Sequence, residues 1–353
     1  MTVVDTPPVA AGRFPRAAFT GSASEYFGIW IVNVLLTILT LGIYSAWAKV
    51  RRKRYFHGNT VLLGRAFEYH AKGSQIFIGR LIVIGALITI NVLGIIHPLF
   101  SLATWLAILI GLPWLIRRSL RFNARVTSYR NVRFDFVGST GGAFVAVTLG
   151  SMVAFLSLGL LAPLASRWLW RYILNNLRYG DRAFSADPRL GALYRAWLLP
   201  VLLFVLGGVI VGVIVAIGMT SQQTMGEPNE GLVLVIVFLP YLVLLAFGLV
   251  GLIYRTGVRN VVLSAALLDG RHELLSDIPR LRYAWIAISN VLVTLLTLGL
   301  MRPWAAVRMA RFTNEHTGIR IHGDLGEVAS QIEASGSAIS AEYVDMEGFD
   351  FGF

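Results

Sequence analysis

Seven long apolar runs, near 28–48, 76–97, 99–116, 141–166, 196–219, 231–254 and 283–301, set the layout of this chain. Each is long enough to cross a hydrocarbon core of about 30 Å, although Asn33 and several threonines interrupt the first. Between the runs the pattern changes period. In TVLLGRAFEY (60–69) the large apolar residues Val61, Leu63, Phe67 and Tyr69 fall on one parity, which predicts a strand lying just outside the membrane. RNVRFDF (130–136) reads the same way.

The runs are related to one another. Residues 33–60 align with 290–317 without a gap and share 14 of 28 positions, among them Asn33 with Asn290, Thr37 with Thr294, Gly42 with Gly299 and Trp47 with Trp304. Trp47, Arg51, Arg54, Tyr55, Thr60, Phe67 and Tyr69 correspond at constant offset to Trp114, Arg118, Arg121, Phe122, Thr127, Phe134 and Phe136. A fainter copy puts Gly159, Pro163, Arg171, Tyr172, Asn176 and Phe184 in the places of Gly42, Ala46, Arg54, Tyr55, Asn59 and Phe67, with Leu164 where tryptophan is expected. Recurrence of this kind implies one supersecondary unit used several times. The unit reads as apolar helix, then W-x3-R-x2-R-[YF], then a short alternating segment. Positions i, i+4, i+7 and i+8 share one helix face, and tryptophan with arginine marks the level where a helix leaves the bilayer.

Charge placement bears on topology. Lys and Arg number seven in 49–75, six in 117–140, six in 167–195 and five in 255–282, against none in the loop 221–230. Seven full crossings divide these charges 17 to 13 across the membrane. If 28–48, 141–166 and 283–301 dip in and return instead, 30 lie on one side and only Arg80 remains inside a span. The second arrangement needs helix breaks at membrane depth, for which Thr40-Leu41-Gly42 and Thr297-Leu298-Gly299 are suited. Both arrangements stay open on sequence grounds.

Composition narrows the class. With 56% hydrophobic and 14% charged residues among 353, the chain is a membrane protein. Residues 1–16 hold two arginines and no apolar core, so no cleavable signal is expected. The absence of cysteine removes disulfides, thiolate metal sites and cysteine catalysis. The net charge of +12 lies beside apolar segments, which suits anionic headgroups rather than nucleic acid. There is no H-E-x-x-H, G-x-S-x-G or P-loop string, and no carboxylate within an apolar run, so neither an enzyme nor an acid-coupled pump is expected, and no cofactor.

FTGSASEYFGIW (19–30), LLTILTLGIYSAWAKVRRKRYFHGNT (35–60) and FDFVGS (134–139) resemble the bacterial YjgN family of inner-membrane proteins over roughly 19–326. The resemblance implies a multi-pass protein of the bacterial inner membrane and supplies no catalytic or binding residues.

Two sets of candidate residues follow. Trp47, Arg51, Arg54, Trp114, Arg118, Arg121, Trp304, Arg308 and Arg311 are candidates for headgroup or anion binding, against ordinary interfacial anchoring. Asn33, Thr37, Thr40, Asn290, Thr294 and Thr297 form intramembrane polar stripes that either line a solute path or pair helices. Arg80 joins them as the one charge within a span, and His97 precedes Pro98 in a turn. Residues 327–353 read as an acidic disordered tail able to dock on a basic face or a protein partner.

The expected fold is therefore an all-α membrane bundle of repeated units, with four spans and three re-entrant helices or else seven spans, and small hairpins on a basic cytoplasmic face. A short tail (1–18) precedes the membrane domain (19–326), and both termini are expected in the cytoplasm. The expected function is a non-enzymatic module for lipids or small anionic solutes, a pore or carrier. The alternative is a scaffold that binds a protein through its cytoplasmic face and tail.

Overall fold

The computed structural model describes residues 14–96, 98–225 and 230–323. His97 and the tail 327–353 lie outside them. Helix α1 (Ala23–Leu39) begins at a capping box, in which Ser22 Oγ accepts from the Glu25 amide (3.2 Å) and the Glu25 carboxylate accepts from the Ser22 amide (3.4 Å). It ends at Thr40-Leu41-Gly42, where Leu41 has φ +50° and Gly42 φ +92°, and α2 (Ser45–Gly58) returns beside it. Thr40 Oγ1 donates to the Leu36 carbonyl (2.7 Å) and accepts from the Tyr44 amide (2.9 Å), so one hydroxyl serves both helix ends.

The same turn occurs twice more. A helix runs through α5 (Thr140–Ala143), a π-helical stretch (Phe144–Leu149) and α6 (Gly150–Leu156), turns at Ser157-Leu158-Gly159, and returns as α7 (Ala162–Asn175). Helices α10 (Arg280–Leu296) and α11 (Arg302–Glu315) are joined at Thr297-Leu298-Gly299. Ser157 and Thr297 each donate to a carbonyl of the helix before and accept an amide of the helix after. Leu41, Leu158 and Leu298 stand at the tips, 95%, 94% and 94% exposed.

Two helix pairs are longer: α3 (Gly73–Ile96) with α4 (Pro98–Arg125), and α8 (Leu190–Met225) with α9 (Glu230–Leu263). Among the described residues, Gly73–Ile95, Leu190–Thr220 and Val237–Ser264 are long and apolar enough to cross a membrane.

Each helix pair is inserted between two strands. The strands are β1 (Ala18–Phe19), β2 (Thr60–Leu62), β3 (Arg65–Tyr69), β4 (Thr127–Tyr129), β5 (Val132–Phe136), β6 (Leu177–Tyr179), β7 (Arg182–Ala186), β8 (Ala266–Leu268), β9 (His272–Ser276) and β10 (Thr317–Arg320). They pair in sequence order, each antiparallel to the next. The two ends then meet: Arg16 bridges Gly318, the Ala17 amide donates to the Thr317 carbonyl (2.8 Å), and the Ile319 amide donates to the Pro15 carbonyl (3.2 Å). The sheet thus closes on itself and leaves no free edge.

Strict alternation sorts the two rims of this barrel. The β2–β3, β4–β5, β6–β7 and β8–β9 connections are tight turns on one rim, while all five helix pairs leave from the other. Along each strand one parity faces the lumen, as with Leu62, Phe67, Tyr129, Phe134, Tyr179 and Phe184. The outer parity is mixed and carries the strands' ion pairs, with Asp135 on Arg125 at the end of α4 (2.9 Å) and Arg320 on Glu273 (3.5 Å).

Two expectations are corrected. The chain is not all-α with separate hairpins, because the short alternating segments join into one ten-stranded sheet. Val61, Leu63, Phe67 and Tyr69 do not share a strand face either. Leu63-Gly64 is a two-residue turn with both φ positive, so parity resets: Leu62 is the strand residue that packs with Phe67, and Leu63 meets the lumen from the turn. Likewise Arg130-Asn131 is a turn, and the strand begins at Val132.

Candidate functional site

The inward residues of the barrel do not fill it. A cavity of about 290 Å³ runs through the lumen, walled by Leu62, Phe67, Tyr129, Phe134, Phe184 and Leu268 among others. Barrel diameter grows with strand number, and eight strands already bring the interior to the limit that side chains can fill. Ten strands exceed it, even with five aromatic rings turned inward. The rings pack at a tilt around the wall: Phe67 to Tyr129 at 4.7 Å between centroids and 32° between planes, and Phe134 to Tyr179 at 4.8 Å and 33°. The wall's tyrosine hydroxyls are turned away to backbone partners. Tyr129 donates to the Leu62 carbonyl (2.5 Å) and Tyr179 to the Tyr129 carbonyl (2.8 Å), while burial pushes the Tyr129 phenol up from its ordinary value.

Toward the helices the lumen meets a second cavity of about 480 Å³, with which it shares Thr60, Phe67 and Phe134. This vestibule lies between the returning helices, lined by Phe56 and His57 of α2, Leu120 and Ala124 of α4, and Ile173 of α7. At the turn rim the polar groups change character. Arg182 pairs with Asp269 (2.9 Å), and His272, 1% exposed, accepts the His322 amide at Nδ1 (3.2 Å) while its Nε2 finds no hydrogen-bond partner among the described residues. Burial, with Arg271 and Arg182 nearby, pushes the His272 imidazole below its ordinary pKa.

The repeated arginines hold the barrel together. Arg54, six residues before β2, donates to the Tyr69 and Ala71 carbonyls (both 3.2 Å), where the next helix pair begins. Arg121 does the same for Phe136 (2.9 Å), Arg171 pairs with Asp187 (3.5 Å), and Arg311 reaches Gly21 (3.4 Å), which joins the last helix to the first turn. In the fourth unit the position is Asn260, which donates to the Ile278 carbonyl (2.8 Å) and accepts the Ile278 amide (3.1 Å) and the Ser276 hydroxyl (2.8 Å). Sequence comparison missed Asn260 because no arginine marks it. Counting back six residues from each strand finds it.

The other candidates fall as follows. Arg51 Nη1 lies 3.4 Å from Asn33 Oδ1 and 3.2 Å from Tyr44 Oη, and Arg308 Nη1 lies 3.0 Å from Asn290 Oδ1 and 2.8 Å from Ser289 Oγ. Thr37 and Thr294 donate to the Asn33 and Asn290 carbonyls (both 2.6 Å), so both stripes consist of contacts within their own helix pair. Arg118 sits over Trp114 and Arg308 over Trp304, at 5.5 and 5.1 Å from the ring centroids, while Trp47 packs on Phe77. Arg80 donates to Ser45 Oγ (2.6 Å) at the start of α2. The structure brings the two stripes next to their arginines and leaves Arg80 apart from both. Among the described residues no group of three or more His, Asp or Glu is placed to hold a metal ion.

The family described as "Bacterial protein of unknown function (DUF898)" matches residues 14–346. The chain belongs to this family. It is similar to the inner membrane protein YjgN of Salmonella typhimurium, 25% identical over 351 residues that cover 87% of this chain and 88% of that protein. It is also similar to inner membrane protein YjgN of Escherichia coli O157:H7, 36% identical over 36% of this chain and 32% of that one. Against inner membrane protein YjgN of Escherichia coli strain K12 the identity is 37%, over 35% of this chain and 31% of that protein. No solved structure matches. These relatives agree with the apolar helices and with the resemblance carried by the TLGIY-x3-W-x3-R-x2-RY string: this is an inner-membrane protein.

Proposed function

We propose that this protein is a non-enzymatic, lipid-interacting module of the inner membrane whose cytoplasmic barrel takes up a single apolar chain from the bilayer. The observation that carries the reading is the apolar lumen, which adjoins a vestibule between the membrane helices at the shared residues Thr60, Phe67 and Phe134. Apolar side chains facing unfilled space forgo dispersion contacts on that side. Water is a poor occupant, since it needs polar partners that this wall directs elsewhere. A hydrocarbon chain supplies the missing contacts. The same wall disfavours a path for small anions, because its few polar side chains are engaged within the barrel, Arg130 on the Leu63 carbonyl (3.1 Å) and Asn314 on the Thr60 hydroxyl (3.2 Å), and the rest is apolar.

In this reading α3, α4, α8 and α9 span the membrane and the other three helix pairs are re-entrant. What supports it is that β3 pairs with β4 and β5 with β6, which requires the hairpins on either side of every helix pair to share one face of the membrane. Seven crossings would separate them. The interfacial tryptophans Trp47, Trp114 and Trp304, with Arg51 and Arg308, then mark headgroup level. Helices α2 and α11 start six residues before Arg51 and Arg308, about 9 Å deeper at 1.5 Å per residue, and the re-entrant tips lie beyond those starts.

The test is site-specific photocrosslinking in cells, with a diazirine amino acid at Leu274 inside the lumen and, for comparison, at Glu273 on the outer face. The expected result is a lipid-mass adduct at 274 and none at 273. A 274 probe that captures only water or protein overturns lipid uptake. In that event the scaffold reading takes precedence, and deletion of 334–353 should remove a co-purifying protein.

A further inference from the structure

A separate cleft of about 400 Å³ opens between α2, α3 and α4, away from the barrel axis. Two cations line it: Lys49 of α2 and Arg80 of α3. The segments 45–58, 73–96 and 98–125 that form these helices contain no aspartate or glutamate. Lys49 makes no hydrogen bond or ion pair with another described residue, and Arg80 spends one nitrogen on the neutral Ser45 hydroxyl. Two like charges facing one cleft repel, and no carboxylate of these helices offsets them, so the arrangement favours an external anion.

The rest of the lining says what kind of anion. Val83, Ile84, Leu115 and Ile116 continue the cleft along the outer sides of α3 and α4, and Ile84 is exposed. A free phosphate would leave this apolar trough in contact with water. A phospholipid fills both parts, with its phosphate between Lys49 and Arg80 and its acyl chains along the trough. Basic pockets between membrane helices on the cytoplasmic side are suited to anionic headgroups for this reason. The twofold positive charge selects against zwitterionic lipid, whose amine would meet the same cations.

We infer that the Lys49–Arg80 cleft is a binding site for an anionic phospholipid of the inner leaflet. This rests on the membrane placement of α2, α3 and α4 proposed above and is independent of what occupies the lumen. The geometry makes Lys49 the more dispensable of the two for folding, since it contacts no partner, whereas Arg80 also ties α3 to α2.

The experiment is native mass spectrometry of the full chain released from nanodiscs containing phosphatidylglycerol and phosphatidylethanolamine in equal amounts. The wild type is expected to retain phosphatidylglycerol on the order of thirtyfold over phosphatidylethanolamine, from about 1 kcal/mol for each of the two basic residues. Lys49→Gln is expected to remove most of that preference, and Lys49→Gln with Arg80→Gln all of it. Arg320→Gln on the outer face of the barrel should leave it unchanged. Equal retention by wild type and a folded Lys49→Gln variant overturns the site. Should the double variant fail to fold, the single variant still decides. Displacement of the bound lipid by inorganic phosphate alone would mean a soluble phosphate site and overturn the lipid assignment. Loss of the lumen adduct at 274 with retained phosphatidylglycerol selectivity would remove lipid uptake and leave this site standing.

Discussion

Arg308 reaches back across the Thr297-Leu298-Gly299 turn to Asn290, with Nη1 3.0 Å from Oδ1, while Asn290 Nδ2 donates to the Ala305 carbonyl at 3.1 Å. One buried asparagine therefore satisfies both a guanidinium and a backbone carbonyl of the returning helix. Asn33 makes the weaker version, 3.4 Å from Arg51. Asn290→Leu should lower stability by about 1–2 kcal/mol, because the Ala305 carbonyl loses its donor and Arg308 is left with Ser289 alone. Asn33→Leu should cost less, since Arg51 keeps Tyr44 and only the longer contact is lost. Thermal unfolding of both variants in one detergent checks the order, and equal losses would mean that these pairs do not brace the turns.

The position six residues before each strand gives a second test. Asn260→Ala removes three hydrogen bonds to Ser276 and Ile278, whereas Arg311→Ala removes one long contact to Gly21. The expected losses are about 2–3 kcal/mol for Asn260→Ala and about 1 kcal/mol or less for Arg311→Ala. Hydrogen exchange locates the damage. It should speed up at Ile278 in the first variant and around residues 17–22 in the second, where the ring closes.

Much of this was legible in the sequence. The 33–60 and 290–317 strings carry the [ST]-L-G turn and the arginine face, and both appear in the structure as residues of one helix pair. The break at Ser157-Leu158-Gly159 was half visible, through Gly159 alone, because serine does there what threonine does in the other two. The barrel was hidden for a physical reason. Strands of three and five residues separated by a two-residue turn mimic one longer alternating segment, and nothing local says that hairpins more than 40 residues apart will pair. The closing contact between residues 15–17 and 317–319 is the extreme case, since pairing of chain ends leaves no periodic trace.

His272 gives the barrel a pH dependence with a definite sign. Its imidazole is held below its ordinary value by burial and by Arg271 and Arg182, opposed only by Asp269, and His322 adds a further positive influence when protonated. The folded state therefore binds this proton less readily than the unfolded chain does. Stability should be complete above the unfolded pKa of about 6.5 and decline as pH falls from there through the depressed folded value. His272→Gln removes that contribution, so the difference in Tm between wild type and variant should shrink or reverse between about pH 7 and pH 5. A constant difference across that range would mean that His272 takes up its proton without resistance.

The lack of native cysteine permits a direct reading of sidedness. Single cysteines at Asn176, beside β6, and at Ser221, near the far end of α8, are labelled in intact cells with an impermeant maleimide. Labelling at 221 and not at 176 is the outcome expected if all hairpins share the cytoplasm. Labelling at 176 and not at 221 would put the barrel outside and defeat the arrangement argued above.

The tip leucines distinguish water from hydrocarbon by the sign of one substitution. Leu298 has φ +50°, a conformation in which leucine is strained and asparagine is comparatively at ease. Were the tip in water, Leu298→Asn would relieve strain and remove an exposed apolar side chain, raising stability by a few tenths to about 1 kcal/mol. Were it in the bilayer, the amide would enter hydrocarbon with little to bond, at a cost of about 1–3 kcal/mol. The re-entrant reading predicts the second result for Leu298→Asn, and again for Leu41→Asn and Leu158→Asn, measured as Tm in lipid nanodiscs. Gly299→Ala controls for backbone strain alone: its φ of +92° makes alanine unfavourable, yet an added methyl meets open space and is indifferent to water or lipid by comparison. A rise in Tm for the asparagine variants with a fall for Gly299→Ala would place the tips in water and refute re-entry.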